Sequence, residues 1–234
     1  MVSIEVLVVL DFMCPWSFIG MQSLYLAKRQ LAEEQPTVVF SMRFIPYEFD
    51  PPGTYPATGT DWSAYCRSYG EAKAKYLLEE KLPRAFALGK SLGIDFRLER
   101  RIVHTERVNN ALLVAARHGQ GEAFALKVLR AHFEELYNPN DPVLLRTILS
   151  DLGVPAEEVV EVLEEAGATQ AARNAAWKHE AHALGVSSVP RFFVTCGDSH
   201  DQCAAAERDG DTSGGPTSPA YFLASFRRCV QHQH

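Results

Sequence analysis

The chain has 234 residues, 47% of them hydrophobic and 22% charged, enough apolar material for a buried core in one large domain or in a domain carrying a sizeable insertion. Its net charge of −6 argues against a nucleic-acid-binding surface, and its longest apolar run, Val6 to Leu10, is far too short to span a bilayer. The five cysteines, Cys14, Cys66, Cys196, Cys203 and Cys229, are odd in number and widely scattered, which excludes a secreted disulfide framework and fits a reducing, cytoplasmic setting.

In chain order, "SIEVLVVLDF" (Ser3 to Phe12) is β-branched and nearly all apolar, the pattern of a strand covered on both faces. Glu5 precedes its apolar run and no basic region leads it, so it reads as the first strand of the fold and not as a signal peptide. From Pro15 the spacing becomes helical through Phe18, Tyr25, Leu26 and Leu31, with Pro15 suited to a first helical turn. "TVVFSMRFIP" (Thr37 to Pro46) alternates as a strand, so residues 1–46 read as a βαβ unit with parallel strands.

"DPPGTYPATGT" (Asp50 to Thr60) is a proline- and glycine-rich linker, and helical periodicity then dominates from about Asp61 to Leu184. Stripes such as Phe124, Leu126 and Phe133 in this block are expected to be packing residues, and the short basic cluster Arg97 to Arg101 is expected to be solvated. "SVPRFFVTC" (Ser188 to Cys196) returns to strand, and Gly197 to Gly215 reads as a polar loop or long hairpin turn. "TSPAYFLASFRRCV" (Thr217 to Val230) is a final amphipathic helix, capped by Ser218 with Pro219 in its first turn. The expected organisation is an α/β module formed by 1–60 and 185–234 with an all-helical insertion at 61–184.

Cys14 falls where the first strand gives way to the first helix. Unpaired N–H groups and the helix dipole favour an anion there, so the thiol is expected to ionise more easily than an ordinary cysteine. Pro15 and Trp16 keep the turn rigid and partly apolar. "GVSSVP" (Gly185 to Pro190) supplies a second signal, because a proline entering a strand suggests an edge or a cis bond. A cis bond before Pro190 would leave the Val189 backbone available to an extended substrate.

The chain resembles the DsbA-like branch of the thioredoxin superfamily, especially FrnE-type proteins related to kappa-class glutathione transferases and hydroxychromene carboxylate isomerases. "DFMCPWSFIG", "RFIPYEFDP", the stretch from "HTERVNN" to "LSDLGV", "ALGVSSVPRFFV" and "GPTSPAYFLASFRR" carry the resemblance in family order. It implies a thioredoxin-like fold with an inserted helical domain, an active thiol at Cys14, a cis Pro190, and substrate contacts from Pro15, Trp16, Val189 and Pro190. It implies glutathione as a possible co-substrate, glutathione or protein thiols and disulfides as partners, and a possible homodimer; no bound cofactor is expected, and composition and spacing point to no metal and no nucleic acid or membrane partner.

The chain departs from the family pattern in three places. Ser17 stands where the Cys-Pro-Trp-Cys form has its second cysteine. His104 and Thr105 stand for an Asn-Thr pair, and Asn109 and Asn110 for a His-Arg pair. The segment from Cys196 to Gly215 is longer and more polar than the family hairpin.

Ser17 cannot release a mixed disulfide from Cys14, but its hydroxyl is expected to donate a hydrogen bond to the thiolate. The leading expectation is thus a monothiol exchanger whose mixed disulfides need an external thiol. The alternatives are a glutathione-dependent transferase or isomerase, and a non-catalytic binding module. Cys66, Cys196 and Cys203 lack the spacing of a resolving thiol and are expected to be reduced and unreactive, although Cys196 and Cys203 could approach across the polar loop.

Overall fold

The computed structural model describes residues 2–48, 56, 58–164, 168–196, 199–205 and 218–232. Its strands are β1 (Ser3–Leu10), β2 (Val39–Pro46), β3 (Thr60–Asp61), β4 (Arg101–Ile102), β5 (Arg191–Cys196) and β6 (Ser199–Ala205). Its helices are α1 (Pro15–Glu34), α2 (Trp62–Ser68), α3 (Glu71–Lys75), α4 (Leu82–Ser91), α5 (Glu106–Arg117), α6 (Gly121–Phe133), α7 (Pro142–Asp151), α8 (Ala156–Glu164), α9 (Ala168–Ala183) and α10 (Pro219–His232). A π-helical stretch, Tyr76–Lys81, joins α3 to α4.

Among the described residues the main sheet has the order β2-β1-β5-β6. β1 and β2 are parallel, as the βαβ pattern requires, and β5 runs antiparallel to β1 with Val6 opposite Val194. The two ends of the chain therefore close one sheet, with the helical block between β2 and β5. This is a thioredoxin-like α/β fold with a helical insertion.

β1 is covered on both faces only in its second half. Ser3 and Glu5 are exposed, whereas Val8, Val9 and Leu10 are fully buried. Ile4, Val6, Val8 and Leu10 pack with α1 residues Phe18 and Leu24 and α10 residues Phe222 and Phe226. On the other face Val9 meets Ile45, Val189 and the α9 residues Trp177 and Ala181. Apolar residues of α5 to α8 join the same core as β1 and α1, and Lys28 on α1 reaches Glu122 on α6 at 2.6 Å. Phe124 and Phe133 are fully buried and Leu126 is partly buried against them, so the stripes are packing residues as expected.

Ser218 caps α10 by accepting from the Tyr221 N–H at 3.2 Å, with Pro219 next to it, as expected. Three features correct the expectations. Residues 199–205, expected as loop, form β6 against β5. "SHDQCAA" has little intrinsic β-preference, and its strand state comes from pairing with a neighbour. The rest of the expected loop, 197–198 and 206–215, lies outside the described residues, as does most of the 50–60 linker.

Second, Cys196 and Cys229 form a disulfide tying β5 to α10. This overturns the expectation of a reduced Cys196 and of its approach to Cys203, which the β6 register sets opposite Val194. The partner comes from a helix that returns across the sheet, a juxtaposition no local spacing reveals. Third, Arg100 is only 1% exposed, while Arg97, Leu98, Glu99 and Arg101 around it are exposed as the solvated reading required. No helix among the described residues is long and apolar enough to cross a membrane.

The contact of α1 with β5 is tight at Gly20. A Cβ there would stand 2.7 Å from the buried Phe192 ring and 3.2 Å from Pro190. Gly20→Ala should lower stability in urea unfolding by about 1–2 kcal/mol, because overpacking a core costs about 1–3 kcal/mol, more than the helix-propensity gain of at most about 1 kcal/mol. An unchanged or raised midpoint would show that Phe192 yields freely.

Candidate active site

β1 ends at Leu10, and four residues turn the chain into α1. The buried Asp11 shapes that turn: its Oδ1 accepts the Met13 N–H at 2.8 Å and its carbonyl accepts the Cys14 N–H at 3.1 Å. Cys14 then occupies the N-cap of α1 in extended conformation, its carbonyl accepting the Ser17 N–H at 3.0 Å, with Pro15 as the first helical residue. The first turn of α1 holds no acidic side chain, so no carboxylate there competes for the positive end of its dipole. The Cys14 side chain is half-buried, and its sulfur remains a thiol.

β1–β5 pairing brings the second segment to the same place. The Val189–Pro190 peptide bond is cis, as the resemblance implied. The Cys14 Sγ donates to the Val189 carbonyl at 3.6 Å, across 175 residues of sequence. The helix start and the proline-bearing strand entry, which the sequence marked separately, are therefore adjacent.

Ser17 is fully buried, and its Oγ accepts the Asp11 N–H at 3.2 Å. It points under the turn and pins its start to α1, so it supports the loop that carries Cys14.

A cavity of about 320 Å³ opens beside the thiol. Asp11, Met13, Cys14, Pro15 and Trp16 form one wall and Ser187 to Val189 another; Pro190 packs behind them. The far wall comes from the helical block: Trp62 and Tyr65 of α2 and Tyr69 at its C-cap, then Lys73, Leu77, Lys81 and Leu82. Asp61 caps α2 by accepting the Ala64 N–H at 2.7 Å, and the three aromatics follow at positions sharing one helix face. Their rings contact in series at 5.6 and 5.3 Å, and the two tyrosine hydroxyls are 2.7 Å apart.

Sequence reading missed this wall, although aromatics at i, i+3 and i+7 behind a capping aspartate were its available signal. The π-helical turn belongs to it as well. Pro83 has no N–H for the residue four before it, and a wider turn ahead of it accommodates that break while carrying Leu77 and Lys81.

A two-residue bridge fixes the helical wall to the site. β3 and β4 pair with Asp61 opposite Arg101, and the Arg101 guanidinium donates to the Thr58 and Gly59 carbonyls at 2.8 and 2.6 Å. The next residues outward, Trp62 and Arg100, are thereby set side by side. The Arg100 Cζ lies 4.5 Å from the Trp62 ring and 4.6 Å from that of Phe133. Burial lowers the pKa of Arg100 to about 10, with negative charge on Cys14 and then on Cys66 opposing the shift.

The positions that depart from the family pattern have structural duties. Glu48 accepts the Thr105 N–H at 3.0 Å, and the His104 Nδ1 lies 3.2 Å from the same oxygen. Asn109 donates to the Thr105 Oγ1 at 3.1 Å, and Asn110 donates to Asn174 at 3.3 Å, joining α5 to α9. None of these side chains lines the cavity. Among the described residues no group of histidine, cysteine and carboxylate side chains could hold a metal ion.

Among the described residues Cys66 is the second thiol not in a disulfide, and it differs sharply from Cys14. It is fully buried on α2, and burial pushes its pKa up to about 11 against the opposing charges of Arg100 and Arg67. A small alkylating reagent at neutral pH should therefore modify Cys14 and leave Cys66 intact, as read by mass spectrometry of the native protein. Equal modification of both would contradict this assignment of burial.

The model of the DsbA-like thioredoxin domain matches residues 5–208. No curated protein sequence matches the chain. A probable DsbA oxidoreductase from Streptomyces coelicolor superposes with a TM-score of 0.70 at 22% identity, covering 97% of this chain and 90% of that one. A 2-hydroxychromene-2-carboxylate isomerase superposes at 0.62 with 16% identity, covering 98% and 97%. The cytosolic disulfide reductase DsbM of Pseudomonas aeruginosa, solved with GSH, superposes at 0.59 with 16% identity, covering 97% and 99%. These likenesses fall in a range that speaks for fold, and the domain match spans most of the chain. The chain belongs to the DsbA-like thioredoxin domain family.

Proposed function

We propose that the protein is a monothiol thiol–disulfide exchanger acting through Cys14, with an external thiol, such as glutathione, as resolving partner. The observation that carries this reading is the placement of one half-exposed thiol at the N-cap of α1, at the edge of a cavity and 3.6 Å from the Val189 carbonyl, with Ser17 where a second thiol would stand. In the first step the Cys14 thiolate attacks a disulfide R–S–S–R′, forming Cys14–S–S–R and releasing R′S⁻. In the second an external thiolate R″S⁻ attacks the R sulfur, forming R–S–S–R″ and restoring the Cys14 thiolate. Each step exchanges one S–S bond for another, with no net redox change.

Pro15, Trp16, Val189 and Pro190 are proposed to seat the substrate. Trp16 and the α2 aromatics offer apolar contact, and the Val189 backbone offers an edge for an extended segment. The bound glutathione of DsbM supports a small thiol as partner. The open cavity favours exchange over a purely structural module. A cytoplasmic setting would supply the resolving thiol.

In a thiol-coupled exchange assay with a small disulfide, Cys14→Ala should reduce turnover to background, a loss of at least about a hundredfold, since the nucleophile itself is removed. Activity surviving in that variant with glutathione and an electrophile would instead support transferase or isomerase chemistry. Ser17→Cys should form an intramolecular disulfide with Cys14, one helical turn away, and release substrate without added thiol. A variant that folds yet still depends on external thiol would show that the turn holds position 17 out of reach.

A further inference from the structure

Arg100, behind the helical wall, is a buried cation that folding alone leaves unexplained. It is 1% exposed, its Nε and Nη2 have no hydrogen-bond partner, and its Nη1 reaches only the Arg97 carbonyl at 3.5 Å. No carboxylate pairs with it among the described residues. An unpaired buried charge is costly, and a well-packed apolar side chain would be the cheaper occupant of such a site. The β3–β4 register nevertheless sets the guanidinium between Trp62 and Phe133, and Trp62 is itself part of the cavity wall.

The titratable groups around this cation narrow its purpose. Among the described residues its electrostatic neighbours include Cys14, Cys66 and His132. Burial holds Cys66 neutral at physiological pH, with a pKa of about 11. Burial, with Arg100 adding to it, takes His132 down to about 3, so it is neutral too. Cys14 is then the neighbour able to supply the missing negative charge near pH 7. Facing Cys14 from the remaining walls are the buried Asp11, which opposes a thiolate, the tyrosines Tyr65 and Tyr69, and Lys73 and Lys81 on the more exposed side.

We propose that Arg100 is a positioning residue for Cys14: an internal counter-cation, held against Trp62, that stabilises the thiolate as nucleophile and as leaving group. This rests on the exchange reading above. Arg100 keeps its proton throughout, and it acts through the field it sets at the sulfur. Because it is enclosed, its effect is little screened by salt, unlike that of the lysines.

The test follows alkylation of Cys14 by iodoacetamide against pH, scored at that residue by mass spectrometry. Arg100→Met should raise the midpoint by about one pH unit, which is about a tenfold loss of thiolate near neutrality, and Arg100→Lys should recover part of that shift. In the unaltered protein, raising salt from about 0.05 M to about 1 M should move the midpoint by under about 0.3 units, a measurement that needs no variant to fold. A folded Arg100→Met protein with a depressed, unchanged midpoint overturns the role of Arg100 and leaves the exchange reading standing. A salt shift near one unit likewise overturns it, transferring the effect to Lys73 and Lys81. An unaltered protein with a midpoint at or above about 8.5, the ordinary cysteine value, overturns both readings.

Discussion

The structure depends on the antiparallel pairing of β1 with β5, which places the start of α1 beside the Val189–Pro190 peptide. Without it, Cys14 would be a thiol at the end of a strand and Pro190 a turn residue 176 positions away. With it, a sulfur faces the positive end of a 20-residue helix on one side and a backbone carbonyl on the other. The parallel β1–β2 pair and the α1–α10 layer hold these two ends in place from one face, and α9 from the other.

The helical block completes the site. Its aromatics and lysines close a cavity that the sheet module alone would leave open, and the short β3–β4 bridge orients that wall. A hydrogen-bonded bridge of two residue pairs is weak alone. Here Arg101 reinforces it through two carbonyls, and the packing of α2 and α4 around it removes most of its freedom. The helices also share the core with β1 and α1, so movement of this wall would disturb packing that begins directly behind the thiol.

What the sequence made legible was local. The βαβ unit, the final helix with its Ser218 cap, the placement of Cys14 after a strand, and the unusual Pro190 each declared themselves through periodicity, capping or a proline's lost donor. What it hid was non-local. β6 is polar and exists through its partner; the Cys196–Cys229 bond joins residues from different layers; Arg100 looked like one member of a solvated cluster until its opposite number, Trp62, was known. Ser17 shows the same limit in miniature. Spacing placed it one turn from the thiol, whereas its hydroxyl faces the Asp11 amide beneath the turn.

The central claim is that Cys14 forms reversible mixed disulfides at an accessible site. The most direct measurement is mass spectrometry of the native protein after incubation with oxidised glutathione at neutral pH, with the adduct located by peptide mapping and then exposed to reduced thiol. A single glutathione on Cys14, lost again on adding thiol, is the predicted result. An unmodified Cys14, or an adduct confined to another cysteine, would contradict the account.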